Sequence, residues 1–137
     1  ALCGPASASR GAPAGKIVAG GESQELDAVV SGAAALVNPS AREGFGLVVA
    51  EAAALGVPSV VVAGDDNASV ELVRRGVNGA VATDATAEAL GAAIRDVVDA
   101  GEELRRSTAE WFARERETRN LAGSVDELLR RAERLRR

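Results

Sequence analysis

The sequence predicts an α/β fold in which helices cover both faces of a parallel sheet. Short apolar runs alternate with segments of helical periodicity, and this alternation is typical of a parallel sheet in a Rossmann-like fold. Ser59–Ala63 contains three consecutive valines, as expected of a strand that is covered on both faces. At 137 residues the chain is long enough to form one domain with its own core.

The amino-terminal part of the chain begins with loop and continues with strand and helix. Residues 1–15 are rich in glycine, proline and serine, so we expect a loop-rich segment after a short strand end at Ala1–Cys3. Lys16–Ala19 is a candidate strand. Apolar residues recur at helical spacing over residues 23–32, which predicts a helix, and Ala34–Val37 follows as a short buried strand.

The middle of the chain repeats this alternation. Leu47–Leu55 is predicted to be a helix, because Gly56 provides a stop and Pro58 lies just beyond it. Thr83 and Asp84 stand where the N-cap of a later helix is expected. The remaining elements are a loop at residues 64–67, a short helix at Ala68–Arg75, a strand at Ala80–Ala82 and a helix at residues 86–99.

The carboxyl-terminal part shows no further strand signal. Glu102–Glu115 and Val125–Leu135 are charged segments with apolar stripes, which we interpret as amphipathic helices packing on the domain rather than as a separate partner site. The chain therefore divides into a loop-rich segment at residues 1–15, an α/β core at 16–99 and terminal helices at 100–137.

Composition excludes several classes of function. The net charge is −4 and no face is both basic and aromatic, which disfavours nucleic-acid binding. Histidine is absent and the acidic residues lack metal-ligand spacing, so no metal site is expected. Cys3 is the only cysteine, the chain opens without a signal-peptide pattern and no apolar run reaches membrane-spanning length, so we expect a cytoplasmic protein without a transmembrane segment.

The candidate site is the stretch from Glu43 to Glu51, in which two carboxylates flank the glycine-rich start of a helix. Gly44 and Gly46 permit backbone angles that a side chain blocks, and the helix is expected to begin near Gly46 or Leu47. The free N–H groups of a helix N-terminus suit a phosphate. Carboxylates on both sides suit hydroxyls, as in a nucleotide sugar. The alternative is one dipole-favoured acid and one solvated acid without a ligand.

The segment from Asn38 to Ala82 resembles the donor-binding half of glycosyltransferase family 4, a family of retaining enzymes with the GT-B fold. The resemblance lies in Asn38-Pro-Ser and in two glutamates with seven residues between them, and it extends upstream to Gly20–Leu26. Further matching blocks begin at Glu51, at Asp66 and at Gly76-Val-Asn-Gly. The resemblance implies that the chain is the second half of a GT-B C-terminal domain, followed by C-terminal helices.

The resemblance also implies a role for each residue of the candidate site. Glu43 is implied to be the catalytic residue that contacts hydroxyls of the donor sugar, with the backbone of residues 44–46 against that sugar. The Leu47 and Val48 amides are implied to meet the diphosphate, and Glu51 to hold the ribose hydroxyls. The donor-binding set is thus Gly44, Phe45, Gly46, Leu47, Val48 and Glu51, without a metal or other cofactor.

Some residues depart from the family pattern or have a second interpretation. Asn67-Ala68 stands where family members often have two glycines. The arginine and lysine that usually neutralise the diphosphate are not evident, since Lys16 of the similarly spaced pair Arg10 and Lys16 precedes a strand-like run instead of a helix. A core position is slightly favoured over stacking for the Phe45 ring. A solvated position is favoured for Arg42, and a capping or dipole-favoured role for Glu71.

Three interpretations of function remain open at this stage. The first is the donor-binding portion of a retaining, hexosyltransferase-like enzyme that moves a sugar from a nucleoside diphosphate sugar to an acceptor. Its acceptor-binding N-terminal domain is not encoded here, so we expect the chain alone to be inactive, and a peripheral membrane contact of the full enzyme is compatible with this interpretation. The second is an isolated nucleotide-binding or interaction module without turnover. The third and weaker interpretation, a nucleotide-sugar epimerase, is disfavoured by the lack of histidine.

Overall fold

The structure is a computed structural model that describes residues 26–118 and Arg134. The predictions for Ala1–Cys3, Lys16–Ala19 and Val125–Leu135 fall outside the described residues, apart from Arg134. The elements in chain order are α1 (Leu26–Ser31), β1 (Leu36–Asn38), β2 (Arg42–Glu43), α2 (Leu47–Ala54), β3 (Ser59–Val62), β4 (Asp66–Asn67), a 3₁₀ helix (Ala68–Leu72), β5 (Gly79–Ala82) and α3 (Ala87–Thr118).

In the described part of the chain, the larger sheet has three parallel strands in the order β1-β3-β5, which confirms the predicted parallel sheet. Val37 pairs with Val60, and Val61 pairs with Val81. The strand predicted at 34–37 begins two residues later, because pairing starts where the Leu36 amide donates to the Pro58 carbonyl at 2.9 Å. It is half-buried to exposed instead of buried as predicted, since β1 is at one end of the described strand order. No helix within residues 26–118 is long and apolar enough to cross a membrane.

Two apolar clusters cover the two faces of this sheet. Successive side chains of a strand point to opposite faces, so Val60 and Val62 belong to one cluster and Val61 to the other. The first cluster is completed by Ala80, Ala82, Ala93, Val97 and Leu104, and the second by Val49, Ala53, Leu72, Val73 and Trp111. Helices therefore flank both faces, as predicted, and the architecture is consistent with a Rossmann-like GT-B domain.

A second, two-stranded parallel ladder pairs Arg42 with Asp66 and Glu43 with Asn67. The prediction of a loop over residues 64–67 is therefore wrong for its last two residues. The cause is the buried Asn67 side chain, which donates to the carbonyls of Ser40 and Val62 and so draws the two segments together.

The helices lie where the sequence predicts them, but some of their ends and one helix type differ from the prediction. α2 ends at Ala54, one residue before the predicted end, and the segment after β4 is a 3₁₀ helix that stops at Leu72 because Val73 is extended. The two helices predicted on either side of Gly101 run consecutively in α3, with a break at that glycine (φ 55°, ψ −139°). The Thr86 hydroxyl accepts from the Ala89 amide at 3.2 Å, so the cap of α3 is later than predicted.

Candidate functional site

The candidate site lies at the edge of the sheet where the parallel strands end. The carboxyl ends of parallel strands share one edge, where open α/β sheets bind their ligands. Glu43 follows β1 on the short strand β2, Asn67 follows β3, and Asp84 follows β5. We call this the carboxyl edge, and it holds the segment in which the sequence predicts the site.

Glu43 is half-buried at this edge, and one of its carboxylate oxygens has a partner. Its Oε1 accepts a hydrogen bond from Asn38 Nδ2 at 3.1 Å. Asn38 is the last residue of β1, and Glu43 is held opposite Asn67 in the β2–β4 ladder. The structure therefore places the predicted catalytic carboxylate on paired backbone rather than on a free loop.

The start of α2 requires glycine at position 46. Gly46 is the N-cap of the helix in the left-handed conformation (φ 74°, ψ 43°), and a Cβ there would lie 2.5 Å from Ser69 Cβ. No side chain in the described part of the chain caps the N-terminus of α2. The first N–H groups of a helix have no partner within the helix, so this N-terminus is open to an anion. A Cβ on Gly44, by contrast, would meet nothing within 4 Å.

The side chains on either side of Gly46 face solvent. Phe45 is 62% exposed and Leu47 is 65% exposed, and Val48 is also exposed. The favoured interpretation of Phe45 as a core ring is therefore wrong. The reason is that the Gly46 backbone itself lies against Ser69, which leaves its neighbours outside both apolar clusters.

Glu51 lies on the exposed side of α2, and its side chain has no hydrogen bond or ion pair to any other residue in the described part of the chain. It stands four residues after Leu47 and three after Val48, and residues at these spacings share one helix face. The structure thus brings Glu51 to the same face as the exposed first turn of α2.

Asn67 is a functional candidate that sequence reasoning missed. Its buried side chain donates to Ser40 O at 3.0 Å and to Val62 O at 2.7 Å, and its Oδ1 accepts from the amide and hydroxyl of Ser69. It caps the 3₁₀ helix and joins three segments of the carboxyl edge. An asparagine two residues before a serine, where the resembling family often has glycine, is the signal that could have found it.

The described charges at the carboxyl edge are mostly negative. Arg42 forms an exposed ion pair with Asp66 at 3.0 Å, so it is solvent-exposed as expected but already has a partner. Hydrogen bonds from the Thr86 hydroxyl and amide lower the pKa of Asp84. Glu71 is exposed in the first turn of the 3₁₀ helix, as expected of a dipole-favoured acid. Arg10 and Lys16 lie outside the described residues.

Two cavities, of about 500 and 370 Å³, lie away from this site. The larger one is between the residues that follow α1 and the middle of α3, and the smaller one is beside Arg75 and Gly79 at the start of β5. Neither is lined by a residue of the predicted donor-binding set. We favour the carboxyl edge over these cavities, because it combines an uncapped helix N-terminus with two carboxylates.

Comparison with known families shows which family the chain belongs to. The family model for glycosyl transferases group 1 matches residues 7–115 of the chain. The chain belongs to this family. No curated protein and no solved structure matched it in the corresponding comparisons. As a member of the group 1 glycosyltransferases, the chain has a role in glycosyl transfer.

Proposed function

We propose that this glycosyltransferase chain binds the donor of a retaining, family 4 reaction, and that the donor is a nucleoside diphosphate sugar bound without a metal. The observation that carries the proposal is the uncapped N-terminus of α2 between Glu43 and Glu51. An anion-binding helix N-terminus with a carboxylate on each side matches a ligand that has a sugar, a diphosphate and a ribose in that order.

The diphosphate lies at the start of α2 in this proposal. The amides of Leu47 and Val48 belong to the first turn of the helix, where N–H groups lack partners within the helix and the helix dipole favours negative charge. Gly46 fixes the start of this helix against Ser69, because a side chain at that position is excluded on both conformational and steric grounds.

The two glutamates have different tasks. Glu51 accepts hydrogen bonds from the ribose hydroxyls, and Glu43 accepts them from the donor sugar. The departing sugar gains positive character at its anomeric carbon as the bond to phosphate stretches. A fixed carboxylate nearby therefore helps most in the transition state.

The chain supplies only part of the catalytic site in this proposal. The described carboxyl edge has more acids than cations, so positive groups outside the described residues must neutralise the leaving diphosphate. An acceptor-binding domain is also required, since holding donor and acceptor together provides much of the acceleration. The chain by itself is therefore expected to bind donor without transferring it at an enzymatic rate.

Calorimetry with uridine, guanosine and adenosine diphosphates, and with their sugar derivatives, tests the proposal. At least one pair should bind. Glu51→Ala should weaken binding of both members of that pair by about 1.5–3 kcal/mol, the contribution of a hydrogen bond to a charged group. Glu43→Ala should weaken only the sugar derivative, and in the complete enzyme it should lower kcat far more than affinity for the diphosphate product.

Glu110→Ala provides the matched control, because Glu110 is an exposed acid on the second half of α3 and lies outside the carboxyl edge. Its affinities should equal those of the parent chain. If Glu51→Ala binds every probe as the parent does, the ribose assignment is wrong. If Glu43→Ala loses affinity for the plain diphosphate, the orientation of the donor is reversed.

A further inference from the structure

Within residues 26–118, the Glu43 carboxylate is held through one of its two oxygens. Asn38 Nδ2 donates to Oε1 at 3.1 Å, and both side chains are half-buried. No residue among 26–118 donates a hydrogen bond to Oε2. A carboxylate bound on one side keeps lone pairs on the other, where it can accept a hydroxyl proton.

The orientation of the Asn38 amide is fixed by its two neighbours. Its Oδ1 accepts from the Ser40 amide at 3.1 Å, and a backbone N–H is only a donor. Its Nδ2 faces the Glu43 carboxylate. An asparagine side chain has one accepting and one donating end, so only this orientation satisfies both contacts.

The anchor of this arrangement lies in the interior. The Ser40 carbonyl accepts from Asn67 Nδ2 at 3.0 Å, and Asn67 is buried. The same Nδ2 also donates to the Val62 carbonyl, and Oδ1 accepts from the amide and the hydroxyl of Ser69. A continuous series of hydrogen bonds thus runs from Asn67 through Ser40 and Asn38 to Glu43.

We infer that Asn38 is a positioning residue for the donor sugar, which holds Oε1 of Glu43 so that Oε2 faces a sugar hydroxyl. The inference rests on the proposed function, in which Glu43 contacts the donor sugar. A glutamate loses considerable rotamer freedom when it is fixed. Because Asn38 already fixes the Glu43 side chain in the free protein, donor binding does not carry this loss of rotamer freedom.

A purely structural role for Asn38 is the alternative, and the two roles use different atoms. The turn after β1 needs only an acceptor at position 38 for the Ser40 amide. Asn38→Asp keeps such an acceptor, but it replaces the donor to Glu43 with a second carboxylate. This variant therefore preserves the turn and removes the positioning contact.

The experiment is calorimetry of the whole chain with uridine diphosphate glucose and guanosine diphosphate mannose, with the plain diphosphates as sugar-free probes. Asn38→Asp should lose about tenfold in affinity for the sugar derivative that the parent binds, as for one charge-assisted hydrogen bond, and should bind the plain diphosphate as the parent does. In a Glu43→Ala background the same substitution should cause no further loss.

Two further variants keep the test decisive. Asn38→Ser retains a hydroxyl acceptor for the turn but cannot reach Glu43, so it should lose sugar-dependent affinity without the added charge. Asn78→Ser removes a buried asparagine from the opposite edge of the sheet and should leave the ratio of the two affinities unchanged.

The inference is overturned if Asn38→Asp and Asn38→Ser both bind the sugar derivative as the parent does. It is also overturned if both lose affinity for the plain diphosphate, or if the loss persists in the Glu43→Ala background. If the parent chain binds none of the uridine, guanosine and adenosine diphosphate sugars that test the proposed function, that function is overturned, and the inference with it.

Discussion

A buried asparagine side chain forms hydrogen bonds at each of the two edges of the sheet. The two asparagines differ in the sequence separation of the segments that they connect. At the amino edge, Asn78 donates to Leu72 O at 2.7 Å and accepts from Arg74 N at 2.6 Å, so it closes a single connection. At the carboxyl edge, Asn67 reaches Ser40, which is 27 residues away in sequence. The hydrogen bonds of Asn78 therefore stabilise a single turn, whereas those of Asn67 also fix the segment that carries the candidate site.

The largest expected effect is on the free energy of unfolding, and it compares substitutions of these two asparagines. Asn67→Ala leaves two carbonyls and the Ser69 amide and hydroxyl without their partner, whereas Asn78→Ala leaves one carbonyl and one amide. At the lower end of the range of about 1–3 kcal/mol for each group left unsatisfied, we expect losses of about 4 and about 2 kcal/mol in the free energy of unfolding. Urea titration followed by fluorescence of Trp111, the only tryptophan, measures both. Equal losses would remove the distinction between the edges.

The second-largest expected effect on stability comes from substituting two glycines. Gly46 at the carboxyl edge and Gly76 in the connection before β5 have similar positive φ values, 74° and 72°. A Cβ at Gly76 would meet nothing within 4 Å, so Gly76→Ala should cost only the conformational penalty of about 1–2 kcal/mol. Gly46→Ala adds a clash with Ser69 and should cost about 2–4 kcal/mol in the same titration. If the two variants are equally stable, the packing of Gly46 against Ser69 is not a constraint.

The smallest expected effect is on the pH dependence of stability, and it arises from the carboxylate of Asp84. Its pKa in the folded chain is lowered by hydrogen bonds from Thr86, so the unfolded chain binds the proton more tightly. The contribution to stability is therefore fully present above the usual aspartate pKa of about 3.9 and is lost as the pH falls through the lower folded value. Asp84→Asn should reduce the loss of stability on acidification in this range, measured by urea midpoints. Asp99→Asn, at an exposed acid on α3, is the matched control for the removal of one carboxylate.

The parts of the fold that the sequence predicts are those with a local signal. Three consecutive valines identify β3, and the sequence from Gly46 to Gly56 gives α2 almost to the residue. Strand boundaries shift because pairing decides them, as at Leu36, whose amide bonds to the residue before β3. The residues predicted to bind donor do lie together at the start of α2, since they are adjacent in sequence.

The parts that the sequence does not predict depend on contacts between distant segments. The β2–β4 ladder has two residues on each side, too few for any periodicity, and it forms because the side chain of Asn67 fits between Ser40 and Val62. The exposure of Phe45 follows from the packing of its neighbour Gly46 on Ser69. Neither contact has a signature within its own segment.

The break at Gly101 has a consequence for cooperativity. Because α3 changes direction there, it contributes Val97, before the break, to the cluster on one face of the sheet and Trp111, after the break, to the cluster on the other. Neither face can lose its cover without disturbing the helix that covers the other. The amides of α2 and of β5 should consequently exchange with solvent through one shared opening event, and the domain should unfold in a single step.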